Sequence, residues 1–159
     1  LEQRKEYYKT GDGDVFWEGG MRLRQMFVSF ASDDNSEYLL RHADFDSICK
    51  ARRENYAALL DALTAPLHGV QVVFPELPEA TVPSHFCLYA ENRDEFQQYL
   101  TDHQIRSIVY WPVGPLVHPL PDSSEQYIYG HIVSIPCDQR FTPSDMQYVA
   151  QVLMDYSKS

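Results

Sequence analysis

Two short stretches carry side chains suited to meeting a small molecule. One is Tyr110-Trp111-Pro112 with His118 in the chain that follows, and the other is Cys137-Asp138-Gln139-Arg140-Phe141. Both stand where a β-rich run gives way to polar or proline-rich chain, and pockets are commonly built at such strand ends. Aromatic rings there can wall a pocket, and the Arg140 guanidinium can grip a carboxylate of a substrate or partner through two parallel hydrogen bonds. Each stretch keeps a second reading: aromatic core plus surface loop for the first, and internal pairing of Arg140 with Asp138 or Asp145 for the second. Tyr110, Trp111, His118 and Arg140 are thus the candidate substrate-binding residues, and no residue is assigned a catalytic role.

Other chemistry finds little support. The six histidines, His42, His68, His85, His103, His118 and His131, show no H-E-x-x-H or comparable spacing, so no metal site is expected. There is no G-x-S-x-G, P-loop or G-x-G-x-x-G. Asp12/Asp14 and Asp33-Asp34 sit in polar turns where raised pKa values are not expected. Gly11-Asp12-Gly13-Asp14 reads as a turn, because a calcium loop needs a Glu twelve residues on and position 23 is Leu. Cys49, Cys87 and Cys137 are odd in number and far apart, which fits neither a disulfide framework nor a zinc knuckle and suits a cytoplasmic protein. A net charge of −10, from 23 acids against 13 bases, argues against nucleic acid, and no apolar run is long enough for a membrane span.

The elements that must position the candidates read in order. Residues 1–30 form a helical arm of two short helices about a turn, and 31–41 form a linker or a short helix capped near Ser36. Asp44 caps a long helix whose apolar stripe runs through Phe45, Ile48, Ala51 or Arg52, Tyr56, Leu59, Leu60 and Leu63, with Lys50, Arg52, Arg53 and Glu54 on the polar side, read as a solvated face. Val70–Phe74 is a strand. Residues 84–112 read as strand, helix and strand: His85–Ala90, Arg93–His103 and Ile105–Trp111. PVGPLVHPLPDSSEQ is a long connection, Ile132–Ile135 a strand, and Thr142-Pro143-Ser144-Asp145 the start of a last amphipathic helix. The expected fold is α+β, a two-layer α/β sandwich with helices on one face of a small mixed or largely antiparallel sheet of about four strands, behind a helical N-terminal arm.

The segments DFDSICKARRENYAALLDAL, GVQVVFPELPEATVPSHFCLYAENRDEFQQYLTDHQIRSIVYWPV and HIVSIPCDQRFTPSDMQYVAQVL, in that order, resemble the C-terminal small domain of the DegT/StrS-like aminotransferases. Those enzymes have the aspartate-aminotransferase fold and use pyridoxal phosphate. The likeness rests on a long helix with an R-R-x-N-Y patch, a strand, helix and strand ending in a Tyr-x-Pro segment with a following His, a V-S-I-P strand and a T-x-x-D helix. It covers Ala43 to Tyr156, and residues 5–30 more loosely resemble the part that follows the cofactor lysine.

The resemblance implies that 43–159 is the small domain and 1–42 the end of a missing large domain, which alone would carry the cofactor. Lys5, Lys9, Lys50 and Lys158 lie near the ends or on a charged helix face, so this chain is expected to hold no cofactor and to be inactive by itself. In a full-length protein, Tyr110, Trp111, His118 and Arg140 would face a sugar nucleotide or another small carbonyl substrate. The apolar arm would join copies into a homo-oligomer. The alternative is a non-catalytic module that keeps this fold and binds a small ligand or a protein. Because the chain opens LEQRKEYYKT, without an initiating Met or a signal pattern, it is expected to be cut from a longer polypeptide.

Overall fold

The computed structural model describes residues 13–26, 31–110 and 121–157. Contacts divide the chain into two compact units, 1–43 and 44–159. The first unit holds helices α1 (Gly13–Met26) and α2 (Asp34–His42). The cap of α2 is Asp33 rather than Ser36: one Asp33 carboxylate oxygen accepts the N–H groups of Asn35 and Ser36, both at 3.0 Å, and the other accepts the Ser36 hydroxyl at 2.7 Å. A carboxylate satisfies two of the helix's orphan donors at once and meets the positive end of its dipole, which is why it takes the position. No residue of α2 is buried.

The second unit contains α3 (Phe45–Ala62), β1 (Val70–Val72), β2 (His85–Ala90), α4 (Arg93–Asp102), α5 (Ser124–His131), β3 (Ile132–Pro136) and α6 (Pro143–Tyr156). The three strands form one antiparallel sheet in the order β1-β2-β3, with Val70 opposite Ala90 and Phe86 opposite Ile135. Strand β2 alternates: Phe86, Leu88 and Ala90 are fully buried, whereas His85, Cys87 and Tyr89 are half-buried. A period of two sends the first set to one face and the second set to the other. The core groups Phe86, Leu88, Val133 and Ile135 of the sheet with Leu59, Phe96, Leu100, Met146 and Leu153 of the helices. This is the expected α+β layering.

The expected fourth strand, Ile105–Trp111, is reduced among the described residues to one bridge. Ile108 and Ser134 exchange both backbone hydrogen bonds, at 2.8 and 2.9 Å, across the free edge of β3. Antiparallel register would next pair 106 with 136 and 110 with 132. Pro136 has no N–H to donate, and the N–H of Ile132 is already bound to Ile128 O at the end of α5, so pairing cannot spread either way. Ile108 and β2 both run antiparallel to β3, so they are parallel to each other with β3 between them, joined through α4.

Helix α5 begins in the last residues of the stretch expected to be a plain connection and runs beyond it. Its start is marked by Ser123, whose hydroxyl accepts the N–H of Gln126 at 3.2 Å, with the Gln126 side chain returning to the N–H of Asp122 at 2.7 Å. No residue of α5 is buried, so there was no apolar periodicity to reveal it. The cap of α3 stands as read: Asp44 accepts the Ser47 N–H at 3.0 Å and its hydroxyl at 2.6 Å. The start of α6 is a capping box between Thr142 and Asp145.

The faces of α3 need two corrections. Phe45 is 53% exposed, because burial along this helix begins only at Asn55 and the first two turns stand clear of the core. Arg53 is half-buried rather than solvated, and one of its nitrogens donates to the carbonyls of Pro78, at 2.9 Å, and Thr81, holding the 75–83 segment against the helix. Lys50, paired with Glu54 at 3.8 Å with both side chains mostly exposed, does fit a solvated face. Leu59→Ala, which empties a fully buried site, should cost about 2–5 kcal/mol in equilibrium unfolding. Arg53→Ala should cost about 1–2 kcal/mol through the two released carbonyls, and Lys50→Ala about half a kcal/mol or less. Equal losses at positions 50 and 53 would show that Arg53 holds nothing.

Candidate functional site

The site is built where β2 begins and β3 ends. Ser84 precedes β2 and His85 opens it, standing opposite Pro136 on the sheet face turned away from the helical core. One imidazole nitrogen of His85, Nδ1, is 2.9 Å from the Ser84 hydroxyl, and the other, Nε2, is 2.9 Å from the Tyr110 hydroxyl. The two rings meet edge to face with centroids 4.9 Å apart. This arrangement leaves Tyr110 46% exposed while its hydroxyl is held in a defined direction. Further along the same face, Cys87 Sγ lies 3.7 Å from the Ser134 hydroxyl, and the ring of Tyr89 meets that of Tyr127 at 5.2 Å.

After Pro136 the chain turns through Cys137, Asp138, Gln139 and Arg140 before α6. This turn is fastened to α3 by Asn55, which is buried: its side-chain nitrogen donates to Asp138 O and Phe141 O at 3.0 Å each and approaches Cys137 O at 3.4 Å. One helical turn before Asn55, Arg52 donates from Nε to Gln139 Oε1 at 2.7 Å. Arg140 closes on Asp138 in a two-point contact, Nε to Oδ1 at 2.8 Å and Nη2 to Oδ2 at 2.6 Å, and its backbone N–H also reaches Oδ1 at 3.0 Å. Of the readings open for Arg140, pairing with Asp138 is therefore present. The Asp138 side chain is only 10% exposed, whereas that of Arg140 is 68% exposed.

These contacts set the protonation of the group. Hydrogen bonding to Arg140 holds the Asp138 carboxyl down at about 2, against the opposing effect of burial. Burial lowers the pKa of His85, with the charges of Arg140 and Arg52 acting in the same direction and that of Asp138 against them. Cys137, buried beside the anionic Asp138 and near Cys87, is pushed up to about 12 and is a poor nucleophile. Tyr110 acts electrostatically on Arg140, which places the phenol and the guanidinium at the same end of the sheet.

Of the four candidates, Tyr110 and Arg140 are thus drawn to one end of the sheet, while Trp111 and His118 lie outside the described residues. His85, Arg52 and Asn55 were missed. The strict alternation of His85, Cys87 and Tyr89 with Phe86, Leu88 and Ala90 was the signal for His85; an amide inside the apolar stripe of α3 was the signal for Asn55. A cleft of about 200 Å³ opens nearby between residues 104–106 and the start of α6, lined in part by Arg106, Phe141 and Tyr148, but neither Tyr110 nor Arg140 lines it. Among the described residues no group of three or more His, Cys, Asp or Glu could hold a metal ion, and no helix is long and apolar enough to cross a membrane.

The carboxyl of Asp138 ionises more readily in the folded chain than its usual value of 3.8. Its contribution to stability is therefore complete above about pH 4 and is lost as pH falls toward 2. Urea unfolding followed across that range should show a steeper acid loss for the parent chain than for Asp138→Asn. Parallel pH profiles would remove the Asp138 and Arg140 pair from the account.

No family model matches the chain, and no curated protein matches it. Solved structures do. S. venezuelae DesV, determined in complex with a ketimine intermediate, superposes with a TM-score of 0.64 at 19% identity, over 76% of this chain and 34% of that one. A DegT/DnrJ/EryC1/StrS aminotransferase from Brucella abortus gives a TM-score of 0.56 at 20% identity, over the same shares of the two chains. The chain spans about a third of the length of these proteins, and likeness at this identity is a likeness of fold. About three quarters of this chain thus has the fold of one third of such an aminotransferase chain.

Proposed function

We propose that residues 43–159 are the C-terminal small domain of a pyridoxal-phosphate-dependent aminotransferase of the DegT/StrS kind. The reading is supported by one observation above the others: about three quarters of the chain superposes on a third of each of two such structures. The described residues do not themselves fit the cofactor. Lys50, the lysine among them, is an exposed group on α3 paired with Glu54. The chain's part is accordingly to wall a substrate pocket, with Tyr110 offering a hydroxyl fixed by His85 and Arg140 offering a cation fixed by Asp138. Trp111 and His118 belong to the same wall in this reading, and the substrate is a sugar nucleotide or another small carbonyl compound. Three unpaired cysteines suit a cytoplasmic setting.

The arm, residues 1–42, is read as the end of the large domain and as the surface through which copies associate. Support comes from Met21 and Met26, 40% and 49% exposed on α1, and from Tyr38, Leu39 and Leu40, all 60% exposed or more on α2. Phe27 and Phe30 lie outside the described residues. Sedimentation equilibrium should find the full chain self-associating and a chain starting at Ala43 monomeric. Two monomers at high micromolar concentration would end this part of the reading.

Two experiments test the function. Incubated with pyridoxal phosphate, reduced with borohydride and dialysed, the chain alone should carry no cofactor on any single lysine. The polypeptide that includes whatever precedes Leu1 should move an amino group from an amino acid to a nucleotide-linked keto sugar. In that polypeptide Arg140→Gln should raise KM for the acceptor about tenfold, equivalent to about 1.4 kcal/mol, with kcat little changed. A long form with neither a lysine-bound cofactor nor activity would leave the non-catalytic binding module as the reading.

A further inference from the structure

We propose that Arg52 and Arg140 together form a binding site for a singly charged oxyanion, either a carboxylate or the phosphodiester of a nucleotide, at the 137–141 turn. The inference deepens the reading of Arg140 given above and rests on it only for the use made of the anion. Its basis is how the two guanidinium groups are held. Arg52 is anchored through Nε by Gln139, and Arg140 through Nε and Nη2 by Asp138, so neighbouring residues of one turn grip both side chains from their inner edges. Among the described residues, both Nη atoms of Arg52 and Nη1 of Arg140 are left without a hydrogen-bond partner, while the Arg140 guanidinium lies 5.9 Å from the Phe141 ring centroid. Such anchored forks lose little rotamer freedom on binding, which favours them over a long side chain that must first be ordered.

Burial gives the pair a direction. Asp138 sits behind, 10% exposed, and Arg140 stands in front, 68% exposed; by contrast the surface pair Lys50 and Glu54 leaves both partners open, at 75% and 55%. The turn itself needs neither arginine to keep its shape, because Asn55 binds its backbone directly. The charged groups at the turn are Arg52, Arg140 and Asp138, all three of which act electrostatically on His85. They sum to +1 in a chain of net charge −10, which suits a monoanion, and Arg forks match the spacing of paired oxyanion oxygens. Arg106 is the internal contrast: it is exposed and has no hydrogen-bond or ion-pair partner among the described residues.

The test is a titration of the full chain, followed by NMR of the arginine guanidinium groups, with sodium acetate in one arm and sodium dimethyl phosphate in the other. In at least one arm the signals of Arg52 and Arg140 should shift together and saturate, while those of Arg106 drift without saturating. Saturation by acetate alone assigns a carboxylate, and by dimethyl phosphate alone a phosphodiester. Arg52→Gln and Arg140→Gln should each weaken binding about tenfold, and the parent's own arginine signals report independently of whether those variants fold. Unsaturated shifts in both arms, or an equal response from Arg106, would overturn the proposal. That result would leave the aminotransferase reading standing, since the latter is judged on the longer polypeptide.

Discussion

A single buried amide holds the site end of this domain in place. Three backbone carbonyls, those of Cys137, Asp138 and Phe141, converge on one end of the Asn55 side chain, and their convergence settles which end of the amide is nitrogen. The turn between β3 and α6 would otherwise leave those carbonyls facing an apolar helix, at the cost that unpaired buried polar groups carry. The placement of Asp138, Gln139 and Arg140 follows from that fastening. With the turn fixed, Asp138 lies inside and directs Arg140 outward, and Gln139 meets Arg52 one helical turn along α3 from Asn55.

The sheet adds the second constraint, which is how its edges end. Strand β3 accepts only Ile108 on its free side, because Pro136 lacks a donor and the N–H of Ile132 is committed to α5. The segment after Ile108 therefore leaves the sheet within two residues, and Tyr110 turns its hydroxyl to His85 rather than continuing a ladder. A half-exposed aromatic with a fixed hydroxyl is thereby produced by the failure of a strand to propagate.

What could be read in the sequence was local. The caps at Asp44 and at Thr142 with Asp145, the alternation of β2 and the apolar positions Tyr56, Leu59, Met146 and Leu153 all rest on contacts within a few residues, and they led to the α+β layering. Capping also marked α5, through Ser123 and Gln126, but a helix that buries nothing has no periodicity to support such a mark. Arg52 and Arg53 looked like a solvated face because their partners, Gln139 and the carbonyls of Pro78 and Thr81, are 25 or more residues away. Asn55 is the extreme case. Its bonds span 82 to 86 residues, so nothing in its neighbourhood distinguishes it from a misplaced polar residue on a core helix.

The central claim, that Asn55 fastens the turn carrying Asp138, Gln139 and Arg140, is tested most directly by equilibrium unfolding of Asn55→Ala. Loss of the amide leaves buried carbonyls without donors, and the account predicts a cost of about 2–4 kcal/mol, with faster hydrogen exchange of the Arg140 and Phe141 amides, whose N–H groups are held inside the turn by Asp138. A cost below about half a kcal/mol, the level typical of a surface substitution, together with unchanged exchange at those amides, would contradict it.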